Sequence, residues 1–280
     1  HGNEKLQNYF SYANTTGHGI IGKHNLSKHN LTFRETSVLL NSRLKLDGSM
    51  NLMRQVVKNK PTVGGFYMNP LVGLYRFPRG EDIAYYKENF EVYDEGRNLN
   101  IQNWHTSYED FEQNPYWITN RILSKENRMH VIVSLSANLK INDWLSLQAR
   151  GNVDYINDKV RQQFYASTAP ALAGANGRYI EMDYQETQYY GDAILMMKKQ
   201  WDAFSLNAAL GVSINDKTVN STRYDSKTAS LKYANVFNLA NIIMNGSAGL
   251  DQKIDARRQL QSLFATAQLG YNEFEIGRAH

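Results

Sequence analysis

The chain has 280 residues, 42% of them hydrophobic and 21% charged, with a formal net charge of +4. That length suffices for one large all-β domain or two small ones, and the absence of cysteine excludes a disulfide framework and thiolate chemistry. A mean hydropathy of -0.55, with no apolar run near the ~20 residues of a spanning helix, argues against a helical membrane protein. The Lys and Arg residues are scattered, which reads as a solvated surface without a nucleic-acid signature.

Taken in chain order, Leu6–Asn14 is a weak strand that could face either way, followed by a link over Thr15–Lys28. His29–Leu40 is a second weak strand in which Glu35 interrupts the apolar face, and Asn41-Ser42 is a short turn. Next comes a clear strand, with Leu44, Leu46, Gly48, Met50 and Leu52 opposing Arg43, Lys45, Asp47, Ser49 and Asn51. The longest link, Lys58–Lys125, carries a short helix over Asp82–Phe90 and an aromatic-rich stretch through Trp104, Tyr108, Tyr116 and Trp117. A connection of that length is usually functional.

The strongest pattern follows. Met129, Val131, Val133, Leu135, Ala137, Leu139 and Ile141 share one face, and His130, Ser134, Ser136, Asn138 and Lys140 the other, with Ile132 the exception. Beyond Asn142-Asp143 the alternation resumes: Leu145, Leu147, Ala149, Gly151, Val153 and Tyr155 oppose Ser146, Gln148, Arg150, Asn152 and Asp154. Trp144 stands at the turn, where an indole suits a membrane-water interface. After a link over Asn157–Glu186 that includes Tyr165, Tyr189–Met197 and Phe204–Ile214 form further strands around a turn at Gln200–Asp202. The link Asn215–Arg257 leads to Ser262–Tyr271, where Phe264 is out of pattern.

This makes about eight strands, and the connections between them alternate long and short. An up-and-down transmembrane β-barrel with short periplasmic turns and long extracellular loops predicts that alternation; a Greek-key sandwich gives no reason for it. The expected fold class is all-β, a partial antiparallel up-and-down barrel. Arg43, Lys45, Asp47, Lys140, Arg150 and Asp154 would then face the lumen, because a charge facing lipid at the bilayer midplane costs about 2 to 4 kcal/mol. A plugged lumen and a small closed barrel both suit such a wall.

Sites for chemistry are weak. His18, His24 and His29 lack a metal-ligand spacing, and the carboxylates at Glu109, Asp110 and Glu112 and at Glu181, Asp183 and Glu186 read as solvated loop acids. No nucleophile motif or phosphate-binding glycine loop occurs, so no catalytic residue, metal or cofactor is expected and an enzyme is not. Asn114-Pro115-Tyr116-Trp117 reads first as a turn anchoring a loop base, with an aromatic stacking surface as the alternative. Trp104, Tyr108, Tyr116, Trp117 and Tyr165 are the candidate substrate or lid contacts.

Several strings in order resemble the SusC/RagA family of TonB-linked outer-membrane transporters. They are Tyr9-Phe10-Ser11-Tyr12 before Asn14-Thr15-Thr16-Gly17-His18-Gly19-Ile20, His29-Asn30-Leu31-Thr32-Phe33-Arg34, and Asn114-Pro115-Tyr116-Trp117. Leu145-Ser146-Leu147-Gln148-Ala149-Arg150-Gly151, Tyr190-Gly191-Asp192-Ala193 and Phe264-Ala265-Thr266-Ala267-Gln268-Leu269-Gly270-Tyr271 continue the series. The resemblance implies a bacterial outer-membrane barrel of about 22 strands with an internal plug. It also implies a SusD-like surface lipoprotein as lid, the TonB complex as energy source, and uptake of an oligosaccharide or peptide. No plug or TonB-contacting segment is visible, so residues 1–274 are expected to be an internal piece of the barrel wall. Glu275–His280 breaks the pattern, reads as a translated sequencing adapter and is set outside the fold. A complete small barrel serving as adhesin or structural protein, a soluble glycan-binding sandwich and, more remotely, an outer-membrane hydrolase are the alternatives.

Overall fold

A computed structural model describes residues 2–3, 5–61, 67–106, 112–229, 231–245, 248–272 and 274–279. The elements run β1 (Leu6–His18), β2 (Asn25–Leu39), β3 (Leu44–Lys58), α1 (Pro70–Arg76), α2 (Ile83–Glu88), β4 (Glu91–Asp94), β5 (Leu99–Gln102) and α3 (Pro115–Arg121). They continue with β6 (Ile122–Lys140), β7 (Leu145–Phe164), β8 (Arg178–Trp201), β9 (Phe204–Asp225), β10 (Gly249–Tyr271) and β11 (Phe274–Ala279). One antiparallel meander, β1-β2-β3-β6-β7-β8-β9-β10-β11, forms the main sheet, and β4-β5 is a separate hairpin. The sheet is open. Eight of its strands are long; the ninth, β11, falls, apart from Phe274, within the stretch Glu275–His280 set outside the fold on pattern grounds, yet its backbone pairs with β10 from Tyr271↔Phe274 to Ala267↔Ala279.

Register carries two faces across the strands without a break. Met50 opposes Val133, which opposes Val153, which opposes Tyr189; one residue over, Ser49, Ser134, Asn152 and Tyr190 line up on the other side. The two out-of-pattern residues keep this register. Ile132 stays on the polar face between Asn51 and Asp154. Phe264 lies on the polar face opposite Gly211, and its ring covers the glycine so closely that a Cβ there would lie 2.2 Å from Phe264 Cζ.

Short turns have local causes. At 142–145 the Asn142 carboxamide oxygen accepts from the backbone N–H of Trp144 at 3.0 Å and of Leu145 at 2.9 Å, a turn closed by its own side chain. The expected helix over Asp82–Phe90 appears as α2, capped by Asp82 through Ala84 N–H at 2.8 Å.

The strands extend well beyond their periodic parts. β6 begins at Ile122, β7 ends at Phe164, β8 begins at Arg178 and β9 reaches Asp225. The connections expected over Thr15–Lys28, Asn157–Glu186 and Asn215–Arg257 therefore contract to 19–24, 165–177 and 226–248. The reason is chemical: beyond Tyr155 the formerly apolar face turns charged, with Lys159 paired to Asp183 at 3.4 Å and Arg161 to Glu181 at 3.1 Å. With the band-side face charged and the other face mixed, Ile156, Val160 and Phe164 interleaved with Asp158 and Gln162 on β7, the alternation of the band is lost while the hydrogen-bond ladder continues. What remains apolar is a band of about ten residues per strand, which at a rise of about 3.4 Å and a tilt of about 40° spans about 25 Å. Aromatic groups mark its short-turn edge, where the Phe204 and Tyr271 rings lie 4.9 Å apart and Lys199 Nζ stands 5.3 Å from the Trp144 ring.

Among the described residues the buried apolar side chains gather at the long-loop end, from Trp117 through Tyr179 and Ile180 to Ala248. The sheet between band edges leaves large side chains such as Leu135 and Leu263 exposed, at 60% and 74%. Face assignment predicts that Leu135→Arg costs about 2 to 4 kcal/mol in a bilayer whereas Ser136→Arg, one residue along, costs little. Unfolding of the two variants in lipid checks this.

Candidate functional site

The polar face changes character near its outer end. Ile122, Phe164 and Ile180 occupy the same face as Ser134, Asn152 and Tyr190, and there they are buried with Ile118 and Ala173, Met68 and Leu172 packing alongside. Apolar side chains on a polar face need a cover, and the segments 112–121 and 165–177 provide it. A second small core lies on the opposite face, where Tyr179, Leu231 and Ile242 pack with Tyr224, Phe237 and Leu239.

Asn114 ties this loop layer together. Its side-chain oxygen caps α3 by accepting from Tyr116 N–H at 2.8 Å, with Pro115 at the first helical position. Its amide nitrogen donates to the carbonyls of Tyr86 at 3.0 Å and Asn103 at 2.8 Å. Trp117, fully enclosed, donates from Nε1 to Thr168 Oγ1 at 3.1 Å and so pins α3 to the β7–β8 connection. Gln113 joins the same two pieces by accepting from Ala169 N–H at 2.8 Å. Arg121 closes the end of α3 with a two-bond pair to Glu91, at 2.7 and 2.6 Å, and lies 5.1 Å from the Tyr165 ring.

Glu112 is a second hub. Buried at 4% exposure, it accepts from Trp104 Nε1 at 3.0 Å and contacts His105 Nε2 at 2.8 Å, while Arg76 Nε lies 3.3 Å away. The Trp104 ring also packs 5.2 Å from both Phe77, tilted, and Tyr86, edge to face.

Four of the five expected aromatic contacts thus fall in one layer. Trp104, Tyr116 and Tyr165 are half-buried within it, and Tyr108 lies outside the described residues. Trp117 is enclosed and presents no surface, which makes Asn114-Pro115-Tyr116-Trp117 an anchor of the loop base. The aromatics that do face outward are Tyr75, Tyr85 and Tyr93, at 86%, 51% and 60% exposure. Of that region only the short helix over Asp82–Phe90 was expected, because helices this short have too few turns to show a periodicity.

On the polar face of the sheet the expected charges are paired. Asp47 is 2.7 Å from Arg34 and 3.9 Å from Lys45; Asp154 is 2.8 Å from His130; Lys140 reaches Asp143 at 3.0 Å. Arg150 faces Asp192 across β7 and β8, with its closest bond at 2.7 Å, and Tyr190 OH donates to the same carboxylate at 2.6 Å. Arg43 sits in the turn one residue before β3, where its carbonyl accepts from Lys140 N–H at 2.7 Å. Two of the three histidines find protein partners: His18 Nδ1 lies 2.5 Å from the Asn25 carboxamide oxygen and His29 Nδ1 2.7 Å from Tyr12 OH. Among the described residues no three His, Asp or Glu side chains converge as a metal site requires.

Above the band, β8, β9 and β10 meet around Asp225, which is 1% exposed. Arg178 binds it at 2.8 and 2.7 Å, Arg223 at 3.1 Å and the Lys227 N–H at 2.8 Å. A bulge between Leu250 and Gln252 releases Asp251 from the ladder to meet Lys227 Nζ at 2.9 Å. Burial pushes the Asp225 carboxyl up, but the Arg178 bonds, the Lys227 N–H and the neighbouring guanidinium charges outweigh it and hold it below the usual aspartate range.

An open up-and-down sheet with one apolar band, one charged face and loops folded over that face defines a segment of the wall of an up-and-down transmembrane β-barrel. No protein-family model matches the sequence, and no curated protein matches it. Among solved structures, it is similar to the RagAB peptide importer in its "closed-closed" and "open-open" states, in each case with 15% identity and a TM-score of 0.66. The likeness covers 97% of this chain and 29% of the matched chain. The open form of the ferric-catecholate import receptor Fiu from E. coli K12 is also similar, at 12% identity and a TM-score of 0.50, over 95% of this chain and 38% of that one. The chain therefore spans about a third of the length of the import proteins whose fold it shares.

Two outcomes follow from the loop layer. Trp117→Ala should cost about 3 to 5 kcal/mol locally, seen as faster hydrogen exchange in 112–121 and 165–177 with the band unchanged. The Asp225 contribution is complete above its unfolded value of about 3.9 and lost as pH falls through the lower folded value. Exchange in 226–248 should therefore rise on acidification below about pH 4, a dependence that Asp225→Asn should abolish.

Proposed function

We propose that this chain is part of the barrel wall of a TonB-dependent importer in the bacterial outer membrane, and that the long-loop end faces outward. The observation that carries the reading is the two-faced open sheet, apolar on one side for about 25 Å and lined on the other by paired charges beneath a folded loop layer. A barrel wall between lipid and an aqueous or plugged lumen needs both faces; a soluble sandwich buries one. The likeness to the RagAB peptide importer supports the SusC/RagA assignment suggested by the sequence strings.

In this reading the plug, the TonB-contacting segment and further strands belong to the rest of the gene product. A SusD-like surface lipoprotein covers the loops, with Trp104, Tyr116 and Tyr165, together with Tyr108, as the residues offered to substrate or lid. The cargo is an oligosaccharide or a peptide, moved without chemical conversion. Lys45, Asp47, Lys140, Arg150 and Asp154, and Arg43 at the turn, line or flank the lumen. The open edges of β1 and β11 each cost several kcal/mol per exposed backbone group in lipid, so a complete small barrel is the poorer reading.

The complete gene product should fractionate with the outer membrane, run as a heat-modifiable monomer, and be required for growth on one oligosaccharide or peptide source. Residues 1–280 alone should aggregate in detergent. A protease-resistant, heat-modifiable monomer from the 280-residue chain would instead establish a complete small barrel, and growth unaffected by deletion on every such source would remove the importer assignment.

A further inference from the structure

A cavity of about 380 Å³ lies at the outer end of the polar face, between the 19–24 link, the start of α1, α3 and the ends of β6 and β7. That volume is enough for a small-molecule group. Its walls are largely apolar, with Met68, Ile118, Ile122 and Phe164 among them. The Asn59 carboxamide beside them is matched within the protein, accepting from Ser124 N–H at 3.0 Å and donating to the Lys23 carbonyl at 3.2 Å. From the polar face β6 contributes Ile122, Ser124 and Glu126, of which Glu126 is nearest the band.

Glu126 departs from the rest of that face. The other carboxylates on it have basic partners: Asp47 with Arg34, Asp154 with His130, Asp158 with Arg128, Glu186 with Lys217, Asp192 with Arg150 and Asp225 with Arg178. Glu126 is half-buried and, among the described residues, its carboxylate makes no hydrogen bond or ion pair. Register sets Val57 on one side of it and Val160 on the other. The next cation along the strand, Arg128, is turned to Asp158 by two bonds, at 2.7 and 2.6 Å. Lys60, an exposed residue of the cavity lining, forms no ion pair with it. A carboxylate set among apolar side chains loses hydration that a cationic hydrogen-bond donor restores.

We propose that Glu126 and this cavity form a cargo subsite for an ammonium or guanidinium group borne on an apolar chain, so that the cargo is a peptide and not a neutral oligosaccharide. The subsite rests on the importer reading above, since it needs this face to line the path of the solute. Two properties select the ligand. The unmatched carboxylate calls for a cation, and the walls around Ile118, Ile122 and Phe164 call for apolar carbon next to that cation. A peptide's terminal amine beside an apolar first residue has both, and so does a lysine or arginine side chain with its methylene stem. A neutral sugar chain carries hydroxyls and no charge, and would leave both the carboxylate and the apolar walls unmatched. The cavity also stands outward of the braced charge pairs, where an entering solute meets this wall first.

The test titrates the complete gene product, purified from outer membranes in mild detergent, with peptides amidated at the C-terminus. The probes are an alanine hexapeptide with leucine at its N-terminus, the same peptide N-acetylated, and the acetylated peptide with one internal lysine. The wild type should bind a charged peptide about 10- to 100-fold more tightly than the uncharged one, and which charged peptide it prefers tells a terminal amine from a side-chain cation. Glu126→Gln should remove that preference and leave the affinity for the uncharged peptide as it was. Glu126→Asp, which withdraws the carboxylate by one methylene, should reduce the preference by a smaller factor, and Glu181→Gln, on the opposite face, should keep it whole. Equal binding of all three peptides by the wild type overturns the subsite, and so does a preference that survives Glu126→Gln. Binding of maltohexaose in place of any peptide also overturns it and leaves the wall reading intact. Failure of the wild type to reach the outer membrane overturns the wall reading and the subsite with it.

Discussion

The unbroken hydrogen-bond ladder between neighbouring strands is the constraint on which the rest depends. Water is absent beside hydrocarbon, so every backbone N–H and C=O in the band has to be met by the adjacent strand. An antiparallel meander with two-to-four-residue turns at one end meets this locally, hairpin by hairpin, and fixes register at the same time. Fixed register then sorts the side chains. A one-residue slip of β7 against β6 would put Arg150 and Asp154 among Val133 and Leu135, at a cost in lipid that no packing gain would offset.

Given that sorting, the polar face becomes an ordered charge lattice. Arg150 meets Asp192, with Tyr190 donating to the same carboxylate; Arg128 meets Asp158 through two bonds, at 2.7 and 2.6 Å; Glu186 takes both Lys217 and Tyr184. Each of the three ion pairs links neighbouring strands, so the charges brace the wall while leaving few cations free to hold cargo tightly. Where the ladder rises beyond the band, the same face becomes apolar and the loops fold onto it, held by Asn114, Gln113 and Trp117. The fold thus separates a braced wall from a loop layer with its own small cores.

Legibility in the sequence followed the chemistry of the surroundings. Arg43–Leu52 and Met129–Tyr155 were readable because one face meets an apolar environment and the other does not. β1 was ambiguous because Asn8 and Asn14 share the face of Phe10 and Tyr12, and only pairing with Phe33 and Leu31 settles it. The outer halves of β7, β8 and β9 were invisible since their band-side face turns polar while the other face mixes apolar with charged residues. In the loop layer, the Asn-Pro cap of α3 announced an anchor, but the Glu112 and Asp225 hubs did not. Their partners, such as Arg178 with Asp225, come together only through the fold, and a lone acid in a loop looks like any other.

The central claim is that one face of this sheet meets lipid for a limited height while the other meets water. This chain contributes no cysteine, so single cysteines placed successively from Leu145 to Phe164 in the complete gene product, with any cysteine elsewhere in it replaced, can carry a spin label in a bilayer. The account predicts collision with oxygen at Leu145, Leu147, Ala149, Gly151, Val153 and Tyr155, collision with a water-soluble nickel complex at the intervening positions, and loss of the oxygen signal from Asn157 onward. Uniform accessibility to the nickel complex along all of β7, or an oxygen signal on both faces, would contradict it.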